Sequence, residues 1–363
     1  VNYWTGTECR EFEKEFAAFA GTQYAVALSN GTLALDVALK AMGIGAGDDV
    51  IVTSRTFLAS ASCIVTAGAN PVFADVDLNS QNISAETIKA VLTPNTKAII
   101  VVHLAGMPAE MDGIMDLAKE HDLWVIEDCA QAHGAKYKGK SVGSIGHVGA
   151  WSFCQDKIMT TGGEGGMVTT NDKELWSKMW SYKDHGKSYD AVYHREHAPG
   201  FRWLHESFGT NWRMMEMQAV IGRIQLKRMP EWTARRQAHA AKLAESLGKF
   251  ASIRLIEVAD YIEHAQYKFY AFVKPEHLKD GWTRDRIVSE LNARKVPCYQ
   301  GSCSEVYLEK AFDNTPWRPK ERLKNAVELG DTSLMFLVHP TLTDDEIAFC
   351  KEHIEAVLAE ATA

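Results

Sequence analysis

The stretch Trp124-Val125-Ile126-Glu127-Asp128-Cys129-Ala130-Gln131-Ala132-His133-Gly134 is an apolar run that ends on two acids and then breaks at small residues and a glycine. A continuous apolar run bounded in this way reads as a strand buried on both faces. Outward from it the same rhythm recurs, with β-rich runs at 25–29, 50–54, 72–75, 98–104, 150–153 and 167–170 and helical patterns between them. The pattern is that of an α/β sheet. One helix runs over 33–42 and stops at Gly43, and a longer one over 216–228 is expected to stop before Pro230. After about Gly248 the rhythm shortens to a strand at 267–273, a helix at 283–293 and a last helix opening with Thr343-Asp344-Asp345-Glu346, the spacing of a capping box. Two domains are expected, a large one over 1–242 and a smaller α+β one over 243–363. The stretch 186–207, rich in Tyr, His, Arg and Trp, reads as an irregular functional loop.

Lys157 stands five residues after Ser152 and is followed by Gly162-Gly163-Glu164-Gly165-Gly166. A lysine amine forms a Schiff base with an aldehyde cofactor, and glycines let backbone pass close to a bulky planar ligand. Most lysines are solvated surface groups, but one set between an apolar strand and a glycine loop is out of place there. Asp128 supplies the partner that pyridoxal phosphate requires. This cofactor works as an electron sink only while its ring nitrogen is protonated, and a buried carboxylate beside that nitrogen holds the proton. Asn30-Gly31-Thr32 joins the first strand to a helix, whose N-terminus offers unpaired N–H groups and the positive dipole end to a phosphate. By itself this is an ordinary strand-to-helix turn; beside Asp128 and Lys157 it is a candidate phosphate site.

The motifs Ile126-Glu127-Asp128-Cys129-Ala130-Gln131, Ser152-Phe153-Cys154-Gln155-Asp156-Lys157, Gly163-Glu164-Gly165-Gly166 and Gly209-Thr210-Asn211-Trp212-Arg213-Met214 resemble, in order, the sugar aminotransferases of the DegT/DnrJ/EryC1/StrS family. The resemblance extends from Trp4-Thr5-Gly6 to Leu337-Val338-His339-Pro340 and is weakest from Tyr299 to Cys303. It implies the aspartate-aminotransferase-like fold, type I among pyridoxal phosphate enzymes, with a mixed seven-stranded sheet in the large domain. It also implies pyridoxal 5′-phosphate held by Lys157 as the internal aldimine, Asp128 on the ring nitrogen, and Gly31, Thr32 and Ser152 on the phosphate. Phe57 matches an aromatic over the cofactor ring, and Gln131 a residue near its phenolic oxygen. Asn211 matches a residue sent across a homodimer interface to the partner's phosphate, which makes the active sites composite. His185 matches a residue next to the site, and Arg213 is a candidate for a substrate carboxylate. Each has a plain alternative: Phe57 as core, Gln131 as a turn amide, His185 as a loop histidine, Arg213 in a structural ion pair.

The implied reaction moves an amino group from L-glutamate to a carbonyl sugar, a 4-keto-6-deoxy nucleotide sugar on family frequency, in amino-sugar and cell-surface polysaccharide biosynthesis. Three departures put a nucleotide-linked acceptor in question: Arg55 where many relatives carry a bulky apolar residue, Ala105 in place of a common tyrosine, and Cys298-Tyr299-Gln300-Gly301-Ser302-Cys303 in place of a His-Tyr-Pro pattern. Arg55, helped by Arg202 and Arg213, would suit an acceptor with its own carboxylate, such as 8-oxo-Kdo converted to 8-amino-Kdo for lipopolysaccharide. Two further alternatives are a non-catalytic regulator that binds the cofactor and a dehydratase. The dehydrating branch of the family has histidine at the position of Lys157, which argues against it.

Composition agrees with an acidic enzyme. The 363 residues are 46% hydrophobic with a net charge of −8, and they contain no basic run of the kind that tracks nucleic acid. Seven scattered cysteines lack the paired spacing of a zinc site or a disulfide framework, so a reducing cytoplasm is expected. No apolar stretch suits a membrane span, and the start lacks the character of a signal peptide. The opening on Val1 suggests that an N-terminal segment precedes it in the gene product.

Overall fold

The computed structural model describes residues 6–196 and 203–363. Its main sheet has seven strands: β1 Tyr24–Leu28, β2 Asp49–Thr53, β3 Asn70–Ala74, β4 Thr96–Val102, β5 Trp124–Asp128, β6 Val148–Ser152 and β7 Gly166–Thr170. They lie in the order β1-β7-β6-β5-β4-β2-β3. The run from β3 through β6 is parallel, whereas β7 is antiparallel to both β6 and β1, so the sheet is mixed. Every expected strand is present within two residues of its expected ends. The reason is visible in β4 and β5, whose successive side chains point to opposite faces. Ile100 and Ile126 join the core under helix Gly31–Ala41, while Ile99, Val101 and Val125 join the one under helix Met111–Glu120. Both faces need apolar residues, and an unbroken apolar run is the result.

Pro230 plays a different part from the one expected. Helix Glu216–Leu226 ends before it, and Pro230 lies in the first turn of the next helix, Met229–Leu247. A proline there loses no helical hydrogen bond and has the φ the helix needs. That helix runs unbroken through the expected domain boundary at 242/243. Its Met229 packs in the core beside the main sheet, and its Ala240, Leu243 and Leu247 pack in that of the smaller part.

The smaller part is built on an antiparallel sheet of Ile253–Leu255, Phe269–Val273, Ser333–Phe336 and Cys298–Tyr299, in that spatial order. Helices Arg284–Ala293 and Asp344–Ala361 cover it. The capping box at the last helix forms as expected: Glu346 N–H donates to Thr343 Oγ1 at 3.2 Å and Thr343 N–H to Glu346 Oε2 at 2.7 Å. The stretch 186–207 carries a short helix, Tyr189–Tyr193; Arg202 in it lies outside the described residues, as do Trp4 and Thr5.

Candidate active site

The chain leaves β1 through Asn30, β5 through Asp128 and β6 through Ser152 at one edge of the sheet, and a cavity of about 640 Å³ opens there. Seven of the sequence candidates line it together: Gly31, Thr32, Phe57, Asp128, Gln131, Ser152 and Lys157. Phe57 is 71% exposed, which excludes the core reading for it.

The Asn30 side chain caps helix Gly31–Ala41 by accepting from Leu33 N–H at 3.0 Å. Gly31 and Thr32, the first residues of the helix, line the cavity together with Ser152, and N–H groups at a helix start have no partner within the helix. Two glycines make the close packing possible. A Cβ on Gly31 would lie 2.5 Å from Ser152 Cβ, and one on Gly166 would lie 2.2 Å from the Asn30 carbonyl oxygen. The glycine run after Lys157 thus lets β7 pass against the turn.

Asp128 is buried and accepts hydrogen bonds from Ser60 Oγ at 2.8 Å and from Ala130 N–H at 3.1 Å. Ser60 Oγ in turn lies 2.9 Å from Thr56 Oγ1. Burial pushes the Asp128 carboxyl above its ordinary range, and the Ser60 hydrogen bond only partly offsets that. A cationic N–H facing it would restore the carboxylate, as a protonated pyridine nitrogen does. Neighbouring Glu127 points the other way, into a saturated cluster. It accepts from the N–H groups of Gly143, Ile145 and Gly146, and from His103 Nε2 at 2.9 Å. His103 Nδ1 accepts from Ala109 N–H, which leaves the hydrogen on Nε2. The lone pairs of His103 Nδ1 and of the Glu127 carboxylate are thus already used, and the two side chains form a structural knot beside β5.

Lys157 Nζ sits 3.4 Å from Asp156 Oδ1 and 5.5 Å from the Tyr267 ring centroid. Tyr267 donates to Asp156 Oδ2 at 2.6 Å. Burial would raise the Asp156 carboxyl, but the Tyr267 hydrogen bond and the Lys157 ammonium outweigh it and hold the group below the usual carboxylate range. Gln131 Oε1 accepts from Ala105 N–H at 2.7 Å, which fixes the amide while it still lines the cavity. Ser60, Asp156 and Tyr267 were not identified from the sequence. Asp156 adjoins Lys157 in the motif, whereas Ser60 and Tyr267 arrive from distant segments.

A second cavity of about 610 Å³ shares Thr56, Phe57, Gln131, Asp156 and Lys157 with the first and extends to Lys268, Tyr270, Tyr299 and Gly301 to Cys303. The departure at 298–303 therefore forms part of its wall.

Four candidates lie outside both cavities. Arg55 is completely buried behind the second one, with Nε donating to Gln81 Oε1 at 3.1 Å and Nη2 to Ser333 Oγ at 3.2 Å. The expectation that it touches substrate is corrected: two neutral side chains hold its fork inside the protein. Arg213 donates to Asp184 Oδ1 at 2.6 Å, an ion pair Asp184 shares with Lys187 at 3.1 Å. Burial works to raise the Asp184 carboxyl, yet these cations hold it below its usual range. The ion-pair alternative describes Arg213 in this chain. His185 is exposed at φ 60°, with its N–H bonded to Thr210 O. Asn211 is exposed and bridged through its backbone to Asp184.

A lysine facing a buried carboxylate across a helix-capped anion cradle, on a mixed seven-stranded sheet, defines a type I pyridoxal phosphate fold. The residues fit the cofactor: Lys157 for its aldehyde, Asp128 for its ring nitrogen, and Ser152 with the Gly31–Thr32 turn for its phosphate. The model of the DegT/DnrJ/EryC1/StrS aminotransferase family matches residues 2–355, and the chain belongs to that family. It is an aminotransferase. An aminotransferase from Psychrobacter cryohalolentis, known by X-ray structure, superposes with a TM-score of 0.97 at 64% identity over 99% of this chain and 93% of that one. The GDP-perosamine synthase of Escherichia coli O157:H7 is 43% identical over 96% of this chain and 90% of its own. A UDP-N-acetyl-3-dehydro-alpha-D-glucosamine 3-aminotransferase of Acidithiobacillus ferrooxidans is also 43% identical, over 96% and 88%.

Proposed function

We propose that this chain transfers an amino group from L-glutamate to the carbonyl of a nucleotide-linked sugar, a 4-keto-6-deoxy sugar being the favoured class, in amino-sugar biosynthesis. The observation that carries this reading is the joining of two cavities at Lys157, one fitted to the cofactor and the other open for a sugar. When bound, pyridoxal phosphate supplies the electron sink that makes amino transfer possible. With the cofactor bound, Asp128 would hold the proton on its ring nitrogen, and the Lys157 amine would be placed to carry a proton at the reacting carbons. Asp156 and Tyr267 would position that amine. The relatives support a nucleotide sugar, and they act on a GDP-linked and a UDP-linked one at equal identity, so identity selects no nucleotide. For the acidic acceptor, burial withdraws the direct support of Arg55, while the departures at Ala105 and from Tyr299 to Cys303 remain.

The working unit in this reading is a homodimer. Met217, Val220, Ile221 and Ile224 form an exposed apolar stripe along helix Glu216–Leu226, two of them 51% exposed, at the spacing of one helix face. Asn211, outside its own cavity, would then serve the partner's phosphate. No helix among the described residues is long and apolar enough to cross a membrane.

The test is a two-stage single turnover with the holoenzyme. L-glutamate should abolish the visible absorption of the lysine-bound cofactor, and a 4-keto nucleotide sugar should restore it. Absence of the first change would sink the donor, and absence of the second would sink the acceptor class.

A further inference from the structure

We propose that Lys268 recognises an anionic group, a carboxylate or a phosphate, on the amino acceptor. The proposal rests on the reading above that the acceptor occupies the second cavity. Apart from Lys157, Lys268 is the cation in the wall of that cavity. Its ammonium lies 4.9 Å from the Tyr267 ring centroid, and among the described residues no carboxylate comes within ion-pair distance of it. Asp156, the acid that acts on it, is already engaged by the Tyr267 hydroxyl and by Lys157. A half-buried ammonium without a counter-ion is unfavourable, and an anionic ligand would supply what the protein does not.

Two more cations stand behind the same wall. Arg55 lies 5.6 Å from the Tyr270 ring centroid, with Nη1 buried and without a partner. Arg236 is buried against the carbonyls of Gln266 and Tyr267, at 3.4 and 3.3 Å. Neither forms an ion pair with a carboxylate among the described residues. Burial lowers the affinity of Lys268 for its proton; Asp156 works against this, and Arg236 and Lys157 add to it. Three cations thus converge on segment 266–270 in a chain whose net charge is −8. In the cavity wall the acids are Asp156 and Glu309. A substrate anion beside Lys268 would also feel Arg55 and Arg236 through a medium that screens poorly.

The amino donor carries carboxylates too, so the source of the anion has to be separated. The cavity, at about 610 Å³, is large for a five-carbon amino acid, and its wall at 299–303 is the stretch that departs from the family pattern. Both observations favour the acceptor.

The holoenzyme and its Lys268→Gln and Lys268→Arg variants should be titrated calorimetrically with inorganic pyrophosphate and with D-gluconate. These probes present the phosphate and the carboxylate separately. In parallel, the L-glutamate half-reaction is followed by loss of visible absorption. The glutamine variant should bind at least one probe roughly ten- to hundredfold more weakly, and arginine should restore most of the loss. The L-glutamate half-reaction should keep its KM and rate. Failure of the parent protein to bind either probe would overturn the proposal, as would unchanged binding in Lys268→Gln or a loss confined to L-glutamate. If L-glutamate gives no spectral change even with the parent protein, the donor assignment falls, and the calorimetric arm still decides Lys268.

Discussion

Gly31 and Ser152 meet so closely that a single methyl group on residue 31 would lie 2.5 Å from Ser152 Cβ. Contact at that distance forces backbone or side chain to move. The first turn of one helix and the end of β6 are thus locked into a single anion-binding wall, and cofactor affinity should depend on the absence of a side chain there. Gly31→Ala should weaken pyridoxal phosphate binding to the apoprotein by roughly tenfold or more, a loss of one charge-assisted hydrogen bond. Fluorescence titration of the apoprotein measures it, and parent-like affinity would show that Ser152 does not hold the phosphate.

Lys157→Ala should abolish turnover while circular dichroism and the melting transition stay close to those of the parent protein. The amine supplies both the covalent hold and the proton carrier, and its surroundings, Asp156 and Tyr267, remain bonded to each other without it. Steady-state activity near the parent value would remove Lys157 from its assigned role.

Asp128→Asn should retain cofactor but slow the donor half-reaction by about a hundredfold or more, because a neutral amide cannot hold a proton on the ring nitrogen. The Ser60 hydroxyl can still bond the amide oxygen, so folding should survive. Rapid amino transfer by this variant would mean that another group governs that proton.

Mixing two inactive variants, Lys157→Ala and Asn211→Ala, should recover part of the activity, since a hybrid dimer contains one site with both residues intact. Subunit exchange is followed with differently tagged chains. Exchange without any recovery would place Asn211 in the service of its own subunit.

His133 and His264 are buried, and burial lowers the pKa of each to about 3 from an ordinary 6.5. Between these values the unfolded chain binds more protons than the folded one. Stability is therefore complete above pH 6.5 and falls as the pH drops toward 3, by about 1.4 kcal/mol per pH unit for each histidine. His133 sits among Phe16, Trp151 and Phe153, so phenylalanine suits the site. Urea unfolding of the apoprotein between pH 5 and 6 should show a slope shallower by about one proton in His133→Phe. An unchanged slope would show that His133 is not held neutral.

The sequence by itself determined the sheet and the heart of the site. Strands buried on both faces must be apolar throughout, so β1 to β7 could be read within two residues, and the end of each strand fixed where Asn30, Asp128 and Ser152 would stand. Lys157 was legible because a lysine between an apolar strand and a glycine loop has no ordinary explanation. What the tertiary structure alone decided depends on distant segments meeting. Ser60 reaches Asp128 from 68 residues away, and Tyr267 reaches Asp156 from 111. Arg55 looked like a substrate contact in the sequence, yet Gln81 and Ser333, one of them 278 residues distant, hold it inside the protein. Lys268 falls within the strand expected at 267–273, and only folding brings it to the cavity. Local pattern records burial and backbone geometry, which are properties of short stretches. Side-chain partnership across the chain is not such a property, and only the folded arrangement settles it.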